Sequence, residues 1–194
     1  MEERTLFSDI DFSINLLSYH DDLSPFFCGC EELDFFFHKE VNLCVKYKYV
    51  STYSVKNKEN DILALFTLAH DSVVFQSLED KNDFVEESCC IIDKEYIETF
   101  VRQSAFPAIN IGHLAVRHDV QSRGIGTFVL NFVIGTFMEY KMSGCQFITV
   151  DSLNNPETNR FYCKNGFVNQ TNSDCFNPTR RMYLPLRIYQ EDSL

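Results

Sequence analysis

Residues 121–126, Gln-Ser-Arg-Gly-Ile-Gly, place two glycines and a cation where an extended run turns into a helical pattern. A helix start leaves backbone N–H groups unpaired, and the aligned peptide dipoles put partial positive charge there. Glycines without a Cβ let a bulky anion reach that backbone. The chemistry such a stretch can do is that of a pyrophosphate cradle. A bare Gly-x-Gly is equally the mark of a tight strand-to-helix turn. No Gly-Lys-Ser/Thr follows, which excludes the Walker pattern, and Val129 stands where the third glycine of the dinucleotide fingerprint would be.

Holding such a cradle takes a strand before it and a helix after it. Residues 109–116 alternate apolar and polar, then close on Leu114-Ala115-Val116, which reads as a buried strand. Residues 117–123 are a polar turn. Beyond them Ile125, Phe128, Val129, Phe132, Val133 and Phe137 recur at three- and four-residue spacing and predict an apolar helix face. Leu130, Ile134 and Met138 predict packing on a further side of the same helix.

Leu114-Ala115-Val116 followed by residues 121–126 resembles the acetyl-CoA-binding signature of the GNAT superfamily of N-acyltransferases. That signature is a strand ending in Leu-Ala-Val, then Gln/Arg-x-x-Gly-x-Gly/Ala opening a helix. Residues 155–167, Asn-Pro-Glu-Thr-Asn-Arg-Phe-Tyr-Cys-Lys-Asn-Gly-Phe, are similar to a second superfamily motif, Asn-x-x-Ala-x-x-Leu-Tyr-x-x-x-Gly-Phe. The departures are Thr158 for Ala and Phe161 for Leu. Two motifs in the right order are far more specific than either alone, and they cover the C-terminal half of the chain. In the N-terminal half, residues 28–37, Cys-Gly-Cys-Glu-Glu-Leu-Asp-Phe-Phe-Phe, resemble the Cys-Gly-x-x-x-Leu-Asp/Asn-x-Phe-Leu segment of toxin acetyltransferases from toxin–antitoxin modules. Those proteins acetylate the amine of aminoacyl-tRNA.

The resemblance implies an α/β (α+β) fold of GNAT type. This is a mixed, mostly antiparallel central sheet flanked by helices, with the acyl-CoA site at a splayed strand and the N-terminus of the next helix. It implies direct attack of an amine on the thioester of acetyl-CoA, the acyl donor. Leu114, Ala115 and Val116 would offer backbone groups to the pantetheine arm. Gln121, Ser122, Arg123, Gly124, Ile125 and Gly126 would hold the pyrophosphate, mostly through backbone N–H groups. Arg117, Arg123 and Lys164 fall in or beside that site, where phosphates need cations. Asn155 would reach the cofactor, or only cap the helix that it starts. Tyr162 is the implied general acid, since a phenol of pKa about 10 keeps its proton until a thiolate of pKa about 8.5 develops beside it. His113, in the motif strand, is the candidate base, with an imidazole pKa of about 6.5. A structural histidine is the other reading of it.

Composition bounds the rest. The chain has 194 residues, 45% apolar and 23% charged, which fits one soluble globular domain. No apolar run is long enough to span a bilayer, and the acidic N-terminus lacks an apolar signal region, so a cytoplasmic protein with no membrane partner is expected. Cys28-Gly29-Cys30 and the vicinal pair Cys89-Cys90 do not match zinc spacings, so free thiols and no metal are expected. The net charge of −11 argues against a general nucleic-acid binder, which needs basic surface. The expected partners are acetyl-CoA and an amine acceptor. Nucleic acid is not among them, and a homodimer is left open.

Along the chain, Phe12, Ile14 and Leu16 predict a first strand. Residues 31–45 predict a helix with Leu33, Phe36, Phe37, Val41 and Cys44 on one face. Residues 49–55 and 62–69 predict a hairpin, with Tyr49, Tyr53 and Val55 on one face of its first strand. Residues 71–107 read as an insertion within a single domain of residues 1–194, carrying one short helix at 96–103. A strand at 146–150, a helix at 155–165 and strands at 167–170 and 180–188 complete the pattern. Three functions stand in order: an acyl-CoA-dependent N-acyltransferase that passes acetyl to a primary amine, a toxin-type acetyltransferase of aminoacyl-tRNA, and a non-catalytic acyl-CoA-binding or interaction protein.

Overall fold

A computed structural model describes residues 12–18, 20–89 and 92–187. The acidic N-terminus and Cys90 of the vicinal pair lie outside the described residues. The strands are β1 (Ser13–Leu16), β2 (Ser51–Lys56), β3 (Ile62–Val73), β4 (Phe106–Val116), β5 (Phe147–Leu153), β6 (Val168–Asn169) and β7 (Thr179–Pro185). The helices are α1 (Glu31–Phe35), α2 (Val41–Lys46), α3 (Leu78–Cys89), α4 (Ile97–Arg102), α5 (Ile125–Glu139) and α6 (Pro156–Lys164). The strands form a seven-stranded sheet in the order β1-β2-β3-β4-β5-β7-β6. The pairs β1–β2, β2–β3, β5–β7 and β6–β7 are antiparallel, while β4–β5 is parallel. Parallel neighbours need a crossover connection, and α5 supplies it. The mixed, mostly antiparallel sheet with helices is the architecture the resemblance implies.

The chain divides into two compact units, residues 1–69 with 112–128 and residues 70–111 with 129–194. In the first, β3 carries six consecutive buried residues, Leu63 to Leu68, as a strand covered on both faces does. Its hairpin with β2 closes through Asn57, whose side-chain oxygen accepts the Asp61 N–H at 2.7 Å. The predicted helix at 31–45 is interrupted. A π-helical turn, Phe36–Glu40, separates α1 from α2. The wider turn brings the adjacent residues Phe36 and Phe37 into the core together, at 6% and 1% exposure, beside Phe26, Val41, Leu65 and Ala115. Tyr49 is not a strand-face residue. It is 71% exposed, and its N–H donates to the Cys44 carbonyl as the chain leaves α2.

The second unit gives residues 71–107 a structure of their own, with α4 falling within the short helix predicted at 96–103. β3 continues to Val73, and α3 and α4 follow. Phe84 of α3 and Phe100 of α4 are each 2% exposed, packed with Val73, Phe106, Phe147 and Tyr183. Phe84 meets the Tyr183 ring edge to face at 5.1 Å, a favoured geometry for aromatic pairs. The segment therefore supplies core. On α5 the buried stripe of this unit is Val129, Leu130, Val133 and Ile134, while Phe132 is 38% exposed. The helix is buried on both predicted sides, Val129 and Val133 from the first face and Leu130 and Ile134 from the second. Among the described residues no helix is long and apolar enough to cross a membrane.

Candidate active site

β4 pairs with β5 from Ala108↔Phe147 to Ile111↔Val150. Residues 112–116 of β4 run on beyond that register, toward the loop that leads into α5. A short 3-10 turn, His118–Val120, precedes Gln121. Ser122 at φ 60° and Gly124 at φ 84° then both adopt the left-handed conformation, on either side of Arg123. Alternating backbone hands of this kind turn successive N–H groups to one side, a nest that suits an anion. The Phe128 N–H donates to the Gly124 carbonyl at 2.9 Å, which is the first intrahelical bond of α5. The N–H groups of Ile125, Gly126 and Thr127 belong to its open first turn. At residues 122–125 a left-handed pair is thus followed directly by a helix start.

The loop is tied down by its own side chains. Gln121 Nε2 donates to the carbonyls of Cys28 at 2.7 Å and Val116 at 3.0 Å. Its side chain therefore holds the loop, and the Val116 carbonyl, predicted to face the pantetheine arm, already accepts one hydrogen bond. Arg117 donates to both carboxylate oxygens of Asp119, at 2.6 and 3.0 Å, and to the Ile62 carbonyl at 3.4 Å. Its guanidinium is thus engaged by Asp119 and by the β3 backbone. Arg117, with help from Arg123, holds the Asp119 carboxyl below its ordinary pKa. Arg123 stands exposed beside the nest.

In the same unit His113 is half-buried on β4. Its ring stacks on Phe36 and meets Phe37 edge to face. Its backbone N–H donates to Thr67 Oγ1 at 3.0 Å, and its Nδ1 lies 3.2 Å from the same hydroxyl. Burial lowers the imidazole pKa below its ordinary value, so the neutral ring is favoured. Leu114 and Val116 are half-buried, and Ala115 is 1% exposed.

Asn155 and Tyr162 lie in the second unit. Asn155 starts α6 with an extended backbone, and its Oδ1 accepts the Thr158 N–H at 2.9 Å. Pro156 follows at the first helical position, as expected. The oxygen of Asn155 is thus engaged in capping the helix. Tyr162 is 7% exposed, between the rings of Phe161 at 5.0 Å and Phe167 at 5.3 Å. Burial pushes its phenol well above the usual range. Such a group donates a hydrogen bond at every physiological pH. Lys164 is exposed in the last turn of α6.

Sequence spacing missed a polar cluster in this unit. Arg181 of β7 pairs with Asp71 of β3 and, at 2.7 Å, with Asp151 of β5. Asp71 also accepts the Thr149 hydroxyl, and Asn110 Nδ2 donates to Thr149 Oγ1 at 3.2 Å. The thiols of Cys28, Cys30, Cys44, Cys145, Cys163 and Cys175 are free, and burial pushes Cys28 up to about 12 and Cys145 up to about 11. Those two are poor nucleophiles. No group of three His, Cys, Asp or Glu residues among the described residues is placed to hold a metal ion.

Residues 74–169 match the family model of the acetyltransferase (GNAT) domain. This chain carries a GNAT acetyltransferase domain. No curated protein matches the sequence. Solved structures share the GNAT fold at low identity. The toxin AtaT complexed with acetyl-methionyl-tRNAfMet superposes with a TM-score of 0.70 at 18% identity, over 95% of this chain and 100% of that one. A tyrosine-to-phenylalanine mutant of AtaT, bound to the C-terminus of the antitoxin AtaR and to acetyl-CoA, gives 0.68 at 17% identity, over 93% and 97%. A tyrosine-to-phenylalanine mutant of KacT gives 0.69 at 18% identity, over 93% and 98%.

Proposed function

We propose that this GNAT domain transfers acetyl from acetyl-CoA to a primary amine by direct attack. The observation that carries the reading is the left-handed pair Ser122 and Gly124 at the open N-terminus of α5. It supports a pyrophosphate site built from backbone N–H groups of residues 122–127, with Arg123 adding charge. Leu114, Ala115 and Val116 would line the pantetheine arm, and the Asn155 amide would reach the cofactor. The amine nitrogen attacks the thioester carbonyl carbon, the C–S bond breaks, and the amide forms. Tyr162 would offer its hydroxyl proton to the departing sulfur as a hydrogen-bond donor. The attacking amine loses a proton to His113, whose neutral ring is the basic form, or to water.

Calorimetric titration with acetyl-CoA and a thiol-release assay over a panel of amines test this. Binding with amine-dependent thiol release is expected. Binding with no release from any amine would leave a non-catalytic acyl-CoA-binding protein. No binding at all would remove the reading.

A second reading names the acceptor as the amine of aminoacyl-tRNA. Two observations favour it. The toxin-type segment at residues 28–37 forms the turn on which the Gln121 loop rests. The fold is shared with AtaT, seen with acetyl-methionyl-tRNA. The net charge of −11 weighs against it. Charged tRNA that accepts acetyl while small amines do not would select it, and binding to uncharged bulk tRNA at physiological salt is not expected.

A further inference from the structure

We infer that Asp34 is a positioning residue for the acetyl-CoA loop, acting through two peptide planes; the inference rests on the function proposed above. Asp34 Oδ1 accepts the Cys28 N–H at 2.8 Å and Oδ2 accepts the Gly29 N–H at 3.1 Å. The Asp34 N–H itself donates to the Cys30 carbonyl at 2.9 Å, which closes the turn.

A trans peptide points its C=O and its N–H in opposite directions. The Cys28 N–H shares a plane with the Phe27 carbonyl, and the Gly29 N–H shares one with the Cys28 carbonyl. By holding both N–H groups, the carboxylate turns both carbonyls the other way. Each then meets the loop. The Phe27 carbonyl accepts the His118 N–H at 2.9 Å, and the Cys28 carbonyl accepts Gln121 Nε2 at 2.7 Å.

Gly29 completes the brace. Its φ is +85°, and a Cβ there would stand 3.1 Å from His118 Cδ2. The His118 ring therefore lies directly against the glycine, where a side chain would push it away. Residues 27, 28 and 29 each touch the stretch 118–121, which runs straight into the Ser122–Gly124 nest. Asp34 lies outside that stretch yet sets the orientation of the surface on which it sits.

The test is calorimetric titration of acetyl-CoA into the full-length parent, Asp34→Asn, Gln121→Met and the double variant. Asparagine keeps the shape but points an NH2 group at one of the two N–H donors. Gln121→Met keeps length and removes the donor from the other side. The bond lost is charge-assisted, so a rise in Kd of about tenfold or more is expected for Asp34→Asn, with the binding stoichiometry unchanged. A merely structural role would lower the binding-competent fraction and leave Kd alone, which overturns the inference. Should Asp34→Asn fail to fold, Gln121→Met decides: a raised Kd supports the brace, and a parental Kd overturns it. Where both fold, the double variant should lose less than the product of the single losses, because both break one contact chain. Fully multiplicative losses overturn it. A parent that does not bind acetyl-CoA defeats the proposed function itself, and the inference with it.

Discussion

The imidazole of His113 lies nearly parallel to the ring of Phe36, with centroids 3.5 Å apart and planes 6° from parallel. The π-helical turn makes this possible, because it carries Phe36 into the core beside Phe37. Burial keeps the imidazole neutral by lowering its pKa. As pH falls below the ordinary value of about 6.5, the unfolded chain takes up a proton that the folded chain still refuses. The stability from the neutral ring is complete above that pH and is lost as pH falls through the depressed folded pKa. Urea midpoints of the parent should therefore drop between about pH 7.5 and about pH 5 more than those of His113→Phe, which keeps the stack. Equal drops would show that the histidine does not carry the acid sensitivity. If His113 is also the base, the acid limb of the parent's rate profile should lie below about pH 6.5, and His113→Phe should lose turnover.

Tyr162→Phe keeps both ring contacts and removes only the donor. General acid catalysis supplies roughly a hundred- to ten-thousand-fold, so kcat should fall within that range while acetyl-CoA affinity stays nearly unchanged. Acyl donors with better leaving thiols should be hurt less. Because burial raises the phenol pKa, ionisation of Tyr162 should not bend the parent's rate profile below about pH 10. A variant that turns over at the parental rate places the acid elsewhere, and one that loses acetyl-CoA binding makes Tyr162 a packing residue.

Gly126 is the second residue of α5, inside the open first turn. Gly126→Leu should place a side chain where phosphate must approach, so acetyl-CoA binding should be almost abolished. Leucine is the better helix former by about 0.8 kcal/mol, so thermal stability should hold or rise slightly. Unchanged affinity by titration would remove the cradle assignment. A loss of binding that tracks a collapse in stability would trace the effect to the fold instead.

What the sequence made legible was local. Asn155-Pro156 announces α6 because a cap and its helix are neighbours in the chain, and the Asn155–Thr158 bond spans three residues. The strand-to-helix turn at Gly124 was legible for the same reason. The mechanics of the residue 28–34 motif were not, because the Cys28 carbonyl meets Gln121 across 93 positions. Nor could spacing pair Arg181 with Asp71, which stand 110 positions apart. On α5 the packing of two sides was legible, but periodicity alone does not say that Phe132 would stand 38% exposed. The core role of residues 71–107 was not legible because their apolar residues are scattered among acids, and the partners that bury Phe84 come from distant strands.

Phe84 tests the core role of α3. Its ring is 2% exposed and contacts Phe75, Phe100, Phe106, Phe147 and Tyr183. Truncating such a side chain removes its transfer free energy and leaves a cavity that neighbouring rings fill only in part. Phe84→Ala should cost about 3–5 kcal/mol of unfolding free energy, a large share of a typical domain's stability. Glu86, exposed on the same helix, is the control, and Glu86→Ala should stay within about 0.5 kcal/mol of the parent. Urea unfolding of the three proteins tests that role. If residues 71–107 were a loop laid on the surface, Phe84→Ala would match Glu86→Ala. A midpoint far below the control, with the slope of the transition unchanged, places α3 among the elements that hold the second unit together.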